Sequence, residues 1–238
     1  MKQIIQEKEA IGILLIDSTI PFLPGDMGNP ETFSFPVKYK KVEGLTLAKM
    51  YEDKMAILPQ LVIAGQQLME QGNVRAITGN CGYLMLYQQE LVKQLRVPVF
   101  TSSLLMLPLL EKMIDPSQQT IGIITAESFR LETSLLHAVN TTLDVVHIKG
   151  LEHKKHFSEA AIKETGMLDS QRLEQEVLEA ADELIQEQPN ISVLLLECSL
   201  LSPYSKALQE KTKRPVFDYV SLIHFVHDGF VKKQFPRF

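Results

Sequence analysis

Short apolar runs alternate with amphipathic stretches along the whole chain. Four runs, at residues 11–16, 75–79, 120–124 and 192–196, are almost continuously apolar. Runs of this length predict strands that are buried on both faces of a parallel sheet. The stretches between them have helical periodicity and predict helices over residues 51–72, 83–95, 103–113, 129–139, 170–186, 204–212 and 221–232. Strands that alternate with helices predict an α/β fold.

Four further strands are predicted from weaker signals. Residues 33–39 alternate between apolar and polar side chains, and Pro36 places this strand at a sheet edge. The other three are short apolar segments at residues 97–100, 143–148 and 216–217.

The stretch before the edge strand has a different composition. Residues 21–36 carry prolines and glycines that prevent regular structure. A loop of this length in a compact domain is usually functional. We expect it either to close one side of a cleft or to pack against a second subunit, with Asp26 and Asn29 fixing its turns or touching substrate.

An internal repeat relates the two cysteines of the chain. Cys81 follows the strand at 75–79, and Cys198 follows the strand at 192–196. At the same spacing, Tyr87 matches Tyr204, and the Pro-Val-Phe at 98–100 matches the one at 215–217. The repeat predicts two similar halves related by pseudo-twofold symmetry, with the two thiols facing each other across a shared cleft.

Composition excludes several classes of function. The 238 residues are 45% hydrophobic and carry a formal net charge of −5 without a basic stripe, which argues against nucleic-acid binding. The first residues lack the apolar core of a signal peptide, and no apolar run reaches the length of a membrane span. We therefore expect a cytoplasmic protein with reduced thiols and no membrane partner.

Two facing thiols predict proton transfer at carbon. One cysteine removes an acidic proton beside a carboxylate, and the other returns a proton on the opposite face. A helix that begins after each cysteine is expected to lower the pKa of the thiol. This chemistry requires no organic cofactor and no metal.

Polar residues at the predicted strand ends are candidates for binding the substrate. Asp17 follows the first strand, and Thr125 and Ser128 follow the strand at 120–124, where they are either anion contacts or helix caps. Asn80 and Ser199 lie directly beside the thiols. The alternative for each is that it only satisfies backbone groups.

The sequence resembles the aspartate/glutamate/hydantoin racemase superfamily over nearly its whole length. The matching features are Thr-Gly-Asn-Cys-Gly around Cys81, Leu-Glu-Cys-Ser around Cys198, and the loop segments at 24–30 and 32–37. The resemblance implies two flavodoxin-like halves with parallel sheets and an active site in the cleft between them. It places residues 1–101 in the first half, joined by the last helix within 218–238, and residues 102–217 in the second.

The resemblance also implies an isomerase, with Cys81 and Cys198 as catalytic residues. The predicted activity is a cofactor-independent racemase or epimerase of a small carboxylate, such as aspartate, glutamate or a relative, in a homodimer or higher homo-oligomer. Gly82 and Tyr83 are further candidate substrate contacts, since they replace the family's usual Asn-Thr, which binds the substrate carboxylate after the first cysteine. Leu200 follows Ser199 where the family has Glu or His. The alternatives are an enzyme like maleate isomerase or arylmalonate decarboxylase on the same fold, and a non-catalytic small-molecule binding protein.

Overall fold

The computed structural model describes residues 9–52, 54–131, 133–141, 143–165, 167–232 and 234–236. Its strands form two separate parallel sheets, one of three strands and one of four. The predicted fold class, α/β with two parallel sheets, is confirmed.

The first half is built around the three-stranded sheet. Its strands are β1 (Ala10–Leu15), β2 (Val37–Lys41) and β3 (Val74–Gly79), in the spatial order β2-β1-β3. Its helices are α1 (Leu47–Glu52), α2 (Lys54–Glu70) and α3 (Gln88–Gln94). The 3-10 turns Pro30–Thr32 and Gly82–Tyr87 precede β2 and α3. A third 3-10 turn, Ser103–Met106, and helix α4 (Leu107–Lys112) lead to the second sheet.

The second half repeats this arrangement with one more strand. Its strands are β4 (Thr120–Thr125), β5 (Val146–Gly150), β6 (Ile191–Leu196) and β7 (Val216–Phe217), in the order β5-β4-β6-β7. Its helices are α5 (Thr133–Ala138), α6 (Lys155–Phe157), α7 (Ser170–Glu187), α8 (Ser205–Thr212) and α9 (Tyr219–Phe230). The 3-10 turns Ser128–Arg130 and Ser199–Tyr204 and the π-helical turn Ser158–Ile162 complete it.

The backbone pairing of the two sheets follows one pattern. The N–H of Asn80 donates to the carbonyl of Leu14 at 3.0 Å, and the N–H of Glu197 donates to that of Ile124 at 2.9 Å. The carbonyls of Pro98 and Pro215 likewise accept from the strand residues at the matching positions of β3 and β6. The internal repeat of the sequence is therefore matched by equivalent backbone hydrogen bonds in the two sheets.

The two halves share a core. One cluster of buried side chains joins Ile13 of β1 to Ile123 of β4 and Leu195 of β6, and Tyr219 and Ile223 of α9 lie in the same cluster. Two further clusters fill the outer face of each sheet. The last helix thus packs between the halves and contacts β1. The division between residues 101 and 102 stays a prediction, because the shared core is continuous across it.

Several predicted elements differ from the structure in their bounds. The edge strand β2 begins at Val37 and not at residue 33, after the 3-10 turn that Asn29 caps. The segment at 97–100 forms only an isolated bridge between Val99 and Ile77. The helices predicted at 83–95, 103–113 and 129–139 each open with a 3-10 turn. Pro59 lies inside α2.

No helix in the described part of the chain combines the length and the apolar composition that crossing a membrane requires.

Candidate active site

The two thiols follow equivalent strand ends and line one cavity. Cys81 lies two residues after the end of β3, and Cys198 lies two residues after the end of β6. Both have extended backbone angles and directly precede a 3-10 turn. Both thiols line the same cavity of about 60 Å³ between the halves. The structure therefore brings Cys81 and Cys198 to one shared cleft, as the repeat predicted.

The cavity wall is mainly apolar and carries acidic groups. Aromatic side chains of Phe22, Tyr83 and Phe157 contribute to it, as do the carboxylates of Glu164 and Glu197. None of the described residues that line it is a lysine, arginine or histidine. A volume near 60 Å³ accommodates only a small ligand.

The resting thiols are held in their protonated form, contrary to the sequence-based expectation. Burial, followed by the nearby carboxylate of Glu197, raises the pKa of Cys81 to about 12, although the backbone N–H of Tyr83 opposes this. The same two causes raise the pKa of Cys198 well above its ordinary value. Backbone amides at the turn therefore do not outweigh desolvation in this cavity.

Glu197 is the site residue that the sequence analysis missed. Its side chain is 1% exposed, and its Oε2 accepts a hydrogen bond of 2.7 Å from the hydroxyl of Thr125. Its Oε1 has no hydrogen-bond partner among the described residues. Burial raises the pKa of Glu197 to about 7, and the bond from Thr125 lowers it in part. A carboxyl group that is buried with one free oxygen is unusual, since charged side chains are rarely buried unpaired.

Gly82 leaves the space that Glu197 occupies. A Cβ atom added to Gly82 would come within 1.6 Å of Glu197 Oε1 and 2.8 Å of the Glu197 carbonyl oxygen. Any larger residue at this position would displace the carboxylate. The carboxyl of the second half thus lies directly against the turn that follows Cys81 of the first half.

Three of the predicted substrate contacts line the cavity but use polar atoms elsewhere. Asn80 Oδ1 accepts from the N–H of Ile16 at 2.8 Å, and the hydroxyl of Ser199 donates to the carbonyl of Asn80 at 2.6 Å. The hydroxyl of Tyr83 donates to the carbonyl of Glu127 at 3.2 Å. These groups fix the cavity wall and join the two halves.

Three other predicted contacts are not among the residues that line the cavity. Asp17 pairs with Lys41 at 2.5 Å and accepts from the N–H of Gly44. The hydroxyl of Ser128 donates to Glu152 at 2.5 Å. Thr125 is fully buried, and its hydroxyl contacts two residues of the cavity wall, Glu197 at 2.7 Å and the hydroxyl of Tyr83 at 3.4 Å.

The loop at 21–36 borders the cavity through Phe22. Asp26 is buried and accepts from the N–H of Gly28 at 2.6 Å, and Asn29 caps the turn Pro30–Thr32 and donates to the carbonyl of Phe22. Both therefore stabilise turns. A Cβ on Gly25 would lie 3.0 Å from Pro203, which shows that the loop touches the second half. Closure of the cavity by this loop stays a prediction.

No protein-family model matches the chain, but curated proteins do. The dimethylsulfoniopropionate lyase of Durusdinium sp. clade D is 31% identical over 240 residues, which cover 96% of this chain and 77% of that protein. Dimethylsulfoniopropionate lyase 5 of Emiliania huxleyi is 29% identical over 229 residues, which cover 92% of this chain. The chain spans 45% of the length of that second relative.

Solved structures share the fold at low sequence identity. Allantoin racemase from Klebsiella pneumoniae has a TM-score of 0.65 at 13% identity, with 92% of this chain and 87% of that one covered. Unliganded arylmalonate decarboxylase has a TM-score of 0.63 at 12% identity, with 97% and 96% covered. Picrophilus torridus aspartate racemase has a TM-score of 0.57 at 14% identity, with 96% of each chain covered. The chain thus shares the fold of these two racemases and the decarboxylase, as the sequence predicted.

Proposed function

This chain belongs to the family of the dimethylsulfoniopropionate lyase from Durusdinium sp. clade D, and we propose that it is itself a lyase, which cleaves dimethylsulfoniopropionate or a close 3-sulfoniopropionate by β-elimination. The observation that carries the proposal is the pair of partly buried cysteines on one small cavity, in a chain of this family. This revises the predicted isomerase activity and keeps the predicted cysteine chemistry and small carboxylate substrate.

The reaction needs one base. A thiolate of Cys81 or Cys198 takes the proton from the carbon beside the carboxylate, so that an S–H bond forms as the C–H bond breaks. The electron pair becomes the carbon–carbon double bond, and the bond to sulfur breaks with its electrons going to sulfur. Dimethyl sulfide leaves as a neutral molecule that needs no proton, acrylate remains, and the thiol later returns its proton to water.

A cationic substrate offsets the high pKa of the thiols. Burial disfavours a thiolate in the empty cavity, and Glu197 disfavours it further. A sulfonium group bound beside the thiols adds a positive charge in a poorly solvated site, and an opposite charge favours ionisation. A thiol therefore gives its proton to water when the substrate is bound and so becomes the base, which limits the reaction of the free enzyme with other electrophiles.

Racemisation of a small carboxylate is the second candidate. It is favoured by the arrival of two thiols from equivalent strands, since inversion needs a base on one face and an acid on the other. Elimination needs only one of them. The cavity wall argues against the dicarboxylates aspartate and glutamate, because none of its described residues carries a positive charge to bind a second carboxylate.

Proton NMR in deuterated water distinguishes the two candidates. Purified protein is incubated in parallel with dimethylsulfoniopropionate, aspartate, glutamate and phenylmalonate. The lyase gives vinyl signals of acrylate and dimethyl sulfide in equal amounts from the first compound only. Deuterium exchange at the α-carbon of an amino acid, without acrylate from dimethylsulfoniopropionate, would overturn the proposal in favour of a racemase. Loss of carboxylate from phenylmalonate would do so in favour of a decarboxylase.

A further inference from the structure

We propose that Glu197 is the specificity-determining residue of this site: its carboxylate binds the cationic head of a zwitterionic substrate and excludes substrates with a second carboxylate. The inference rests on the proposed function for the identity of the reaction. It goes beyond that function by assigning recognition of the leaving group to one side chain.

The buried carboxylate of Glu197 has one hydrogen-bonded oxygen and one oxygen without a hydrogen-bond partner among the described residues. Thr125 holds Oε2 at 2.7 Å, which fixes the carboxylate plane, while Oε1 has no partner among the described residues. The residue is 1% exposed and lines the cavity directly before Cys198. Burying such a group in its charged form is costly, and a cation bound beside it offsets that cost.

The groups packed against Glu197 offer it no cation. The neighbours are the hydroxyl of Thr125 from β4, the turn at Gly82, and the titratable groups Cys81, Cys198, Tyr51, Tyr83 and Tyr219, none of which is basic. The guanidinium of Arg130 lies 4.5 Å from the centre of the Tyr51 ring, but its Nε is paired with Glu127 at 2.5 Å. The negative charge in this cavity is therefore available to a ligand.

A sulfonium or quaternary ammonium group fits this environment. Such a cation has no N–H or O–H donor, so it is held by charge and by the faces of aromatic rings. Phe22, Tyr83 and Phe157 supply rings to the same wall that carries Glu197. A second carboxylate placed there would instead meet a like charge in a poorly solvated site, which is strongly unfavourable.

The test compares two unreactive probes of matched shape. One is 3-(trimethylammonio)propionate, and the other is 4,4-dimethylpentanoate, in which an uncharged tert-butyl group replaces the cationic head. Calorimetry measures binding of each at pH 8. We expect wild type to bind the cationic probe at least about tenfold more tightly. Glu197→Gln should reduce this ratio to within about twofold, since the amide keeps the shape and removes the charge.

A second variant, Glu164→Gln, tests whether the negative charge that binds the probe belongs to Glu197. Glu164 also lines the cavity, but its Oε2 accepts from the N–H of Thr19 at 3.0 Å. Glu164→Gln should keep most of the preference for the cationic probe. Loss of the preference in Glu164→Gln and its retention in Glu197→Gln would overturn the assignment, as would equal binding of both probes by wild type.

The pH dependence of wild type provides a measurement that needs no variant. Burial raises the pKa of Glu197 to about 7, so its charge and the preference should fall between pH 8 and pH 6. The surrounding thiols and tyrosines have raised pKa values and stay neutral in this range. Burial also raises the pKa of Asp26 to about 7, but Asp26 is not among the lining residues, so Glu197→Gln must abolish the effect. A preference independent of pH in wild type contradicts the inference.

The outcomes separate this inference from the proposed function. Binding of the probes does not depend on turnover, so a charge preference without release of dimethyl sulfide would overturn the lyase and keep the cation site. Release of dimethyl sulfide by a protein whose probe preference does not involve Glu197 would keep the lyase and overturn the site.

Discussion

The two halves end their cysteine strands with the same backbone but with different side chains before the thiol. Asn80 and Glu197 occupy the same position of the repeat, and the N–H of each donates to the first strand of its own sheet. The Asn80 side chain bonds the backbone of Ile16, whereas the Glu197 side chain bonds a hydroxyl through one oxygen and leaves the other, which lies against Gly82, without a hydrogen-bond partner among the described residues. The internal repeat thus places two thiols at equivalent positions. The difference between Asn80 and Glu197 gives one side of the cavity a carboxylate and the other side a neutral amide.

This asymmetry distinguishes the two candidate reactions. In a racemase the two thiols exchange roles with the direction of reaction, so equivalent surroundings serve both faces. In an elimination one base faces the α-carbon and the other thiol has no required step. A charge on one side only fixes the orientation of a zwitterion and so presents its α-proton to one thiol.

The largest expected effect comes from removing the thiols one at a time. Cys81→Ala and Cys198→Ala should differ in lyase rate: the variant without the base loses about a thousandfold or more, and the other keeps at least about a tenth of the activity. The measurement is dimethyl sulfide release at saturating substrate. Equal losses in both variants would show that the two thiols act as a unit and would contradict a one-base elimination.

Much of this comparison was predictable from the sequence, because the repeat places a cysteine at the same position after an equivalent strand in each half. The runs before Cys81 and Cys198 are buried strands, as predicted. The position of Glu197 opposite Asn80 was also visible at the spacing of the two cysteines. A glutamate that follows three leucines at a strand end was a signal of a buried charge, and the sequence analysis did not use it.

The remaining site features depend on packing between distant residues. The sequence does not show that Asp17 meets Lys41 or that Ser128 meets Glu152, so their polar atoms appeared free for substrate. The thiol pKa values depend on how deeply the turns are covered by the opposite half. The expectation from local sequence, a lowered pKa at a helix start, omits this desolvation.

The second prediction concerns the cost of the charge to the fold. The pKa of Glu197 rises from an ordinary 4.5 to about 7, so between these values the native state holds a proton that the unfolded state releases. The stability contributed by the neutral form is complete below about pH 4.5 and is lost as pH rises through 7. Glu197→Gln should therefore exceed wild type in unfolding free energy by up to about 3 kcal/mol at pH 8 and match it near pH 4.

Urea titrations at the two pH values measure this difference. The exposed Glu70 provides the control, since Glu70→Gln should change stability by less than about 0.5 kcal/mol at either pH. A Glu197→Gln variant that is destabilised equally at both pH values would show that its bond to Thr125 outweighs its charge. The buried charge of Glu197 would then not lower the folding stability, and a bound cation would have no such cost to offset.

The smallest expected effect compares Gly82 with Ser199, which occupies the same position of the repeat and carries a side chain. A Cβ at Gly82 would overlap Glu197 Oε1, so Gly82→Ala should cost about 1–3 kcal/mol and displace the carboxylate. Ser199→Ala removes only the 2.6 Å bond to the Asn80 carbonyl and should cost about 1 kcal/mol. In the Glu197→Ala background, Gly82→Ala should cost less than it does alone, because the overlapping side chain is gone. Urea melts of the four combinations give this coupling, and an unchanged cost would mean that the backbone at Glu197, rather than its carboxylate, requires glycine at this turn.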